Sequence, residues 1–152
     1  MTAETVHASA VRIGETGILI LGASGAGKSA LALDLVDQGQ LRGIDSGVIG
    51  DDRIVLTQRD GQTFASPAPH LAGMIEVRGS GIHAIDHIAQ APLYLAVRLV
   101  DENEAVRMPP EEPVEVLPGI LLPCLHLPQG QPAVRAVLAR LGYYGGVKNL
   151  IN

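Results

Sequence analysis

The stretch Gly22-Ala23-Ser24-Gly25-Ala26-Gly27-Lys28-Ser29 has the spacing G-x-x-x-x-G-K-[ST], the pattern of a loop that cradles nucleotide phosphates. Glycines let the backbone bend tightly and turn successive N–H groups toward phosphate oxygens. A helix opening near Lys28 adds the unpaired N–H groups of its first turn and the positive end of its dipole. Lys28 is then placed to reach the β- and γ-phosphates, and the Ser29 hydroxyl to coordinate Mg²⁺. The whole stretch from Gly22 to Ser29 is a candidate nucleotide-binding segment.

Downstream, Asp51-Asp52 follows the apolar piece Val48-Ile49-Gly50. A Mg²⁺-nucleotide site needs an acid that holds the ion or its water shell, and this pair is the best placed to supply one. The bland alternative is a solvated turn. Adjacent residues of a strand point to opposite faces, so the two carboxylates should play different parts. Glu76 stands between Ile75 and Val77, where a lone carboxylate needs a partner or a metal ion. Arg78, on the same face of the strand, offers a structural Glu–Arg pair as the competing explanation. His7 lies among small and apolar residues and by itself reads as a hydrogen-bonded strand histidine. His83 and His87 lack a third metal ligand at good spacing and read as a polar helix face. Arg107, in acidic surroundings, is either a phosphate clamp or a solvated charge. Cys124 reads as a small core residue.

The elements that must hold these residues follow from periodicity. Thr5 to Ile13 alternates well enough to be a strand, and Gly14-Glu15-Thr16-Gly17 is turn chemistry leading into a second, apolar strand, Thr16 to Leu21. The two strands are close enough in sequence to pair antiparallel. After the loop, Ser29 to Gln38 is rich in helix formers, with Gly39 placed to end the helix. Val48 to Leu56 reads as two strand pieces around the acidic pair, and Thr63 to Ser66 as a short strand. Ile75 to Ile82 reads as a strand end running into a tight Gly-Ser-Gly turn. Leu93 to Val100 is apolar at nearly every position and should be a central strand. Asp101 to Pro113 reads as an acidic loop, and Val114 to Pro128 as extended chain. Pro132 opens a last helix with Val134, Val137, Leu138 and Leu141 on one face, ended by Gly142. The expected fold is therefore α/β, a phosphate-loop nucleotide-binding domain over 1–152 with a mixed, largely central β-sheet flanked by helices.

Bulk properties bound the function. At 152 residues, nearly half of them hydrophobic and few aromatic, the chain can build one aliphatic core. A net charge of −5 argues against a nucleic-acid partner. One cysteine cannot form an internal disulfide. The mixed, polar opening segment is no signal sequence, and no apolar stretch reaches membrane-spanning length, so a cytoplasmic protein without a membrane partner is expected.

In this order, the pieces resemble the catalytic domain of HPr kinase/phosphorylase. That family phosphorylates a serine of HPr, the phosphocarrier of the sugar phosphotransferase system, and reverses the reaction by phosphorolysis. The matching residues are His7, Gly22 to Ser29, Gly50-Asp51-Asp52-Arg53 and above all Ile75-Glu76-Val77-Arg78-Gly79-Ser80-Gly81-Ile82. The last is similar to the family signature E-[IV]-R-G-x-G-[ILV], which is more specific than a phosphate loop. Carried over by motif, the resemblance implies that Lys28 binds phosphate, Ser29 and Glu76 hold Mg²⁺ and Asp52 is the acid/base. It also matches His7 to the family's active-site histidine and Arg107 to its catalytic arginine. ATP, Mg²⁺, an HPr-type acceptor and a homo-oligomer, hexameric in the family, are implied with it. Two departures stand out. The long form of the family carries an N-terminal domain that this chain lacks, so it reads as a short form or one from which that domain is missing. Gln129-Gly130-Gln131-Pro132 replaces a basic loop implicated in dephosphorylation. Two other classes remain open: an ATP-sensing module without catalysis, and a phosphate-loop kinase of a small metabolite.

Overall fold

The structure is a computed structural model that describes residues 3–107 and 111–145. Among the described residues, twelve strands and three α-helices follow the order β1 (Ala3–Val6), β2 (Ser9–Ile13), β3 (Thr16–Gly22), α1 (Lys28–Leu41), β4 (Ser46–Gly50), β5 (Ile54–Arg59), β6 (Gln62–Pro67), β7 (Met74–Val77), β8 (Gly81–Ala84), β9 (Ala91–Val100), α2 (Glu102–Arg107), β10 (Val114–Leu117), β11 (Ile120–Leu122), β12 (Cys124–Pro128) and α3 (Gln131–Arg140). The main sheet has eight strands, ordered β1-β5-β6-β9-β3-β2-β4, with β12 also paired to β9. It is mixed, as expected, and β9 is its hub. The start of β9 pairs antiparallel with β6 (Ala65↔Ala91), and its end pairs in parallel with β12 (Leu127↔Leu99). Its other edge pairs in parallel with β3 (Ile20↔Val97).

Strand direction decides where chemistry can gather. β2 runs antiparallel to both β3 (Ser9↔Ile20) and β4 (Arg12↔Gly47), so β4 runs the same way as β3. The carboxyl ends of β3, β4, β9 and β12 and the amino end of β2 therefore share one edge. In open α/β sheets that edge is where ligands bind.

Both faces of the sheet are covered, which is why its central strands read as nearly continuous apolar runs. On one face, Leu31 and Leu35 of α1 and Val137 and Leu138 of α3 pack against Val11, Ile18, Ile20 and Val97. On the other, Ala10, Leu19, Ile49, Leu56 and Ala96 are closed over with Val114 and Leu122 of the β10–β11 hairpin and with Cys124. α3 begins at Gln131 with Pro132 in its first turn, and Gly142 follows its last turn at φ 85°, as the sequence predicts.

Several expectations are corrected. Thr5 to Ile13 is not one strand: the chain breaks at His7-Ala8, so that β1 joins β5 while β2 joins β3 and β4. Asp101 to Arg107 is not loop throughout. Asp101 accepts the Glu104 N–H at 2.8 Å and starts α2, an Asp-x-x-Glu cap. The remainder of the expected acidic loop includes 108–110, outside the described residues. His83 lies on strand β8, and His87 forms a parallel bridge with Val48, so the two histidines share no helix face. Gly39 does not end α1, which runs on to Leu41. A methyl group there would collide with the Ser46 side chain, so Gly39 is a close-packing residue between helix and β4.

Two predictions follow from this packing. Helix propensity alone would make Gly39→Ala stabilising by about 1 kcal/mol. Rotating the Ser46 hydroxyl away leaves its Cβ still 2.9 Å from the new methyl. Overpacking of this kind costs about 1–3 kcal/mol, so urea denaturation should show G39A less stable than wild type. The second concerns Cys124, which is fully buried and has its thiol pushed up to about 11 by burial. It should resist an aromatic disulfide reagent at pH 8 until denaturant is added. Because the folded thiol ionises later than the unfolded one, its stabilising contribution is intact below the unfolded pKa. It is lost as pH rises from about 9 toward about 11, and Cys124→Ala should flatten that part of the stability profile.

Candidate active site

Four segments arrive at the carboxyl edge of the sheet and line a cleft of about 880 Å³. The first is the loop between β3 and α1. Gly25 (φ 82°) and Gly27 (φ 102°) take left-handed backbone conformations that favour glycine, and Gly27 caps α1 without a side-chain oxygen. First-turn N–H groups without a side-chain cap are suited to phosphate oxygens. Lys28 is buried, and its Nζ donates to the carbonyls of Gly22 (2.9 Å) and Ala23 (3.0 Å). Burial holds its pKa below the usual lysine value, with the carboxylates of Asp52 and Asp51 acting in the opposite sense.

The second segment follows β4. Asp51 and Asp52 sit in the bend between β4 and β5, as two strand pieces around the acidic pair predict, and Asp52 has a left-handed backbone, φ 70°. Their divergence comes from this bend. Asp51 turns inward and is 6% exposed, whereas the side chain of Asp52 is 65% exposed at the cleft. The Ser29 hydroxyl donates to Asp51, with its Oγ 2.7 Å from Oδ1 and 2.9 Å from Oδ2. The backbone N–H of Glu76 donates to Oδ2 at 3.2 Å.

The third segment enters β2. His7 Nε2 lies 3.2 Å from Asp52 Oδ1, and the fully buried Ser9 hydroxyl donates to Asp51 Oδ1 at 2.6 Å. The fourth follows β12, where Gln129 and Gly130 complete the wall and Gln129 lies against Gly27.

The β7–β8 hairpin forms the outer wall. Ile75 is buried and Val77 packs on the core, so Met74, Glu76 and Arg78 on alternate positions line the cleft. Glu76 is exposed there, and Arg78 donates to the Gly25 carbonyl at 3.3 Å, not to Glu76. His83 Nε2 bonds the Ser80 hydroxyl at 2.7 Å.

The cleft therefore unites His7, Ser24, Gly25, Gly27, Lys28, Ser29, Asp52 and Glu76 of the sequence-predicted residues, while Gly22, Ala23 and Ala26 lie in the same segment without lining it. It does not include Arg107, which is exposed at the end of α2. Sequence reasoning missed Ser9 and, although it expects different parts for the two acids, assigned none to Asp51. The available signal was a hydroxyl within the apolar run Ala8-Ser9-Ala10-Val11, which needs a buried partner.

Residues 1–106 match the model of the HPr Serine kinase C-terminal domain. The chain belongs to this family. Among HPr kinase/phosphorylases, it is 40% identical over 105 residues to that of Mycoplasma mycoides, covering 64% of this chain and 32% of that protein. It is 44% identical over 79 residues to that of Lactococcus lactis, covering 51% of this chain and 24% of that protein. The chain thus spans about a third or less of the length of these relatives. The Hpr(Ser) kinase/phosphatase structure from Coxiella burnetii is similar at TM-score 0.71 and 27% identity, covering 93% of this chain and 91% of that one. The mixed sheet with flanking helices is the fold of this HPr serine kinase relative.

An HPr serine kinase domain implies Mg²⁺, and the donor set fits. Among the described residues no three His, Cys, Asp or Glu side chains gather as a metal cage. Mg²⁺ at phosphate sites needs less, namely one or two carboxylates or hydroxyls together with substrate oxygens. Ser29, Asp51 and Glu76 offer hard oxygen atoms of that kind in one cleft.

Asp51 accepts from two hydroxyls and a backbone N–H. Asp51→Ala should leave those donors unpaired and lower the unfolding free energy by about 1–3 kcal/mol. Asp51→Asn, which keeps an acceptor oxygen, should lose less than half as much. Equal losses in urea denaturation would mean that the bonds do not set the stability of this bend.

Proposed function

We propose that the chain is an ATP-dependent serine kinase acting on an HPr-type phosphocarrier, with phosphorolysis of the phosphoserine as its reverse reaction. The observation that carries this reading is the division of labour between two neighbouring acids. One is buried against the phosphate-loop serine, and the other is exposed at the cleft beside a histidine. A protein that only senses ATP has no chemical use for the second.

In the forward direction the loop N–H groups and Lys28 bind the β- and γ-phosphates. Mg²⁺ held by Ser29, Asp51 and Glu76 would neutralise phosphate charge when bound. The acceptor serine oxygen attacks the γ-phosphorus, and the bond from that phosphorus to the β,γ-bridging oxygen breaks. Asp52 takes the hydroxyl proton, and ADP leaves. His7, at 3.2 Å, orients the Asp52 carboxylate. In reverse, Asp52 takes a proton from inorganic phosphate, which attacks the phosphoserine. The departing serine oxygen is reprotonated and pyrophosphate forms. Gln129 and Gly130, in the segment that replaces a basic loop, bring no positive charge to the cleft, which favours the kinase direction. Arg107 is assigned no step. Self-assembly and a cytoplasmic location belong to the same reading; among the described residues no helix is long and apolar enough to cross a membrane.

The test is intact-mass analysis of HPr-type carriers incubated with the protein and Mg²⁺-ATP. One phosphate should appear on a carrier serine, and Asp52→Asn should slow its appearance by at least about 10²-fold, the usual contribution of a general base. An unimpaired D52N enzyme would remove Asp52 from the mechanism. ATP binding without transfer to any carrier would favour the sensing module.

A further inference from the structure

We infer that Ser9 is a positioning residue for the metal-nucleotide site, acting through Asp51. The inference rests on the Mg²⁺-ATP reading above and concerns the segment that enters β2. Three bonds tie that segment to the acidic pair. His7 meets the Asp52 carboxylate at 3.2 Å, the Ala8 N–H donates to the Asp52 carbonyl at 3.3 Å, and the Ser9 hydroxyl donates to Asp51 Oδ1 at 2.6 Å. His7-Ala8-Ser9 is thus a brace laid along Asp51-Asp52, with one side-chain bond to each carboxylate.

The brace answers a geometric difficulty. Two adjacent acids must point in different directions, one into the phosphate loop and one toward the acceptor. The bend that achieves this puts Asp52, a non-glycine residue, at φ 70°. Such a conformation persists where its surroundings over-determine it. Ser9 is well suited to fix the inner acid. It is 0% exposed and lies opposite Ile20 in the β2–β3 ladder, so its hydroxyl comes from a rigid element. The same Oδ1 accepts from Ser29 at 2.7 Å. Ser9 and Ser29 thereby share one carboxylate oxygen and fix its direction relative to α1. Partners that orient a metal-binding carboxylate typically matter 10–100-fold for metal affinity or activity.

The test compares wild type with Ser9→Ala and Ser9→Thr, using a fluorescent ATP analogue in EDTA and across a Mg²⁺ titration. Carrier phosphorylation is followed in parallel. Ser9→Ala should bind the analogue normally in EDTA, because Lys28 and the loop are untouched. The Mg²⁺ concentration giving half-maximal enhancement of binding should rise by about tenfold or more. Ser9→Thr, which keeps the hydroxyl, should return it to within about threefold of wild type. Should the alanine variant fail to fold, Ser9→Cys, with a weaker donor of similar size, takes its place. An unchanged Mg²⁺ response in the variant overturns the role of Ser9 and leaves the kinase reading standing. Equal weakening in EDTA and in Mg²⁺ assigns Ser9 to general stability and overturns the inference as well. A wild type whose binding ignores Mg²⁺ overturns the metal site itself, and the role of Ser9 with it.

Discussion

The carboxylate of Asp51 accepts hydrogen bonds from Ser9 at the start of β2, from Ser29 in the first turn of α1 and from the backbone of Glu76 on β7. An acid only 6% exposed needs such donors if its polar oxygens are to be buried at modest cost. By gathering them it sets three separately folded elements in one frame. The bonds from Ser29 tie the β3–α1 loop to the acids in addition to sheet pairing. Because β4 runs parallel to β3, the strand that delivers Asp51 ends at the same edge as the strand that delivers the loop. Topology brings the groups to one edge, and Asp51 fixes their spacing.

That arrangement explains the different environments of the two acids. A straight strand would send neighbouring side chains to opposite faces of the sheet, and both faces here are filled with aliphatic core. Neither face could take a carboxylate. The chain therefore leaves the strand at Gly50 and turns, with Asp52 at positive φ. Asp51 goes under the loop and Asp52 out to the cleft. The strain is local, of order 1 kcal/mol or more, and the contacts of His7 and Ala8 with Asp52 lie where they can hold it.

Much of this was legible in the sequence because local and tertiary signals agree. The glycine spacing, the apolar run before it and the helix formers after it all specify strand, loop and helix, and the central position of β9 follows from its lack of polar alternation. Legibility fails where one local pattern serves two tertiary outcomes. Thr5 to Ile13 alternates well enough to read as one strand, yet only pairing with β5 on one side and β3 on the other reveals the break at His7-Ala8. Gly39 resembles a helix terminator, and its real constraint, Ser46, lies on another strand. The spacing of His83 and His87 suits a helix face, but Gly79 and Gly81 at positive φ flank the turn of a hairpin there. The start of α2 was readable in Asp101 and Glu104, though the acidity of the stretch and its prolines drew the reading toward loop. At the site, Lys28, Ser29 and the acidic pair announce themselves by type. Ser9 does not, because a small hydroxyl in an apolar strand acquires meaning only when β4 brings Asp51 beside it.

The charge of the cleft constrains what can enter it. Its walls carry the carboxylates of Asp34, Asp51, Asp52 and Glu76 against the cations of Lys28 and Arg78. Burial and the neighbouring Asp37 push the Asp34 carboxyl above its usual range, which lessens this imbalance without removing it. A bare triphosphate would meet a field of its own sign. A triphosphate accompanied by a divalent cation would not, since the carboxylates would then face positive charge. Lys28 is already withdrawn from solvent against the Gly22 and Ala23 carbonyls. It can exchange those neutral acceptors for phosphate oxygens at little further desolvation cost. The same cleft thus disfavours free polyanions and is suited to a metal-nucleotide complex. That suitability comes from the placement of acids around the β3–α1 loop.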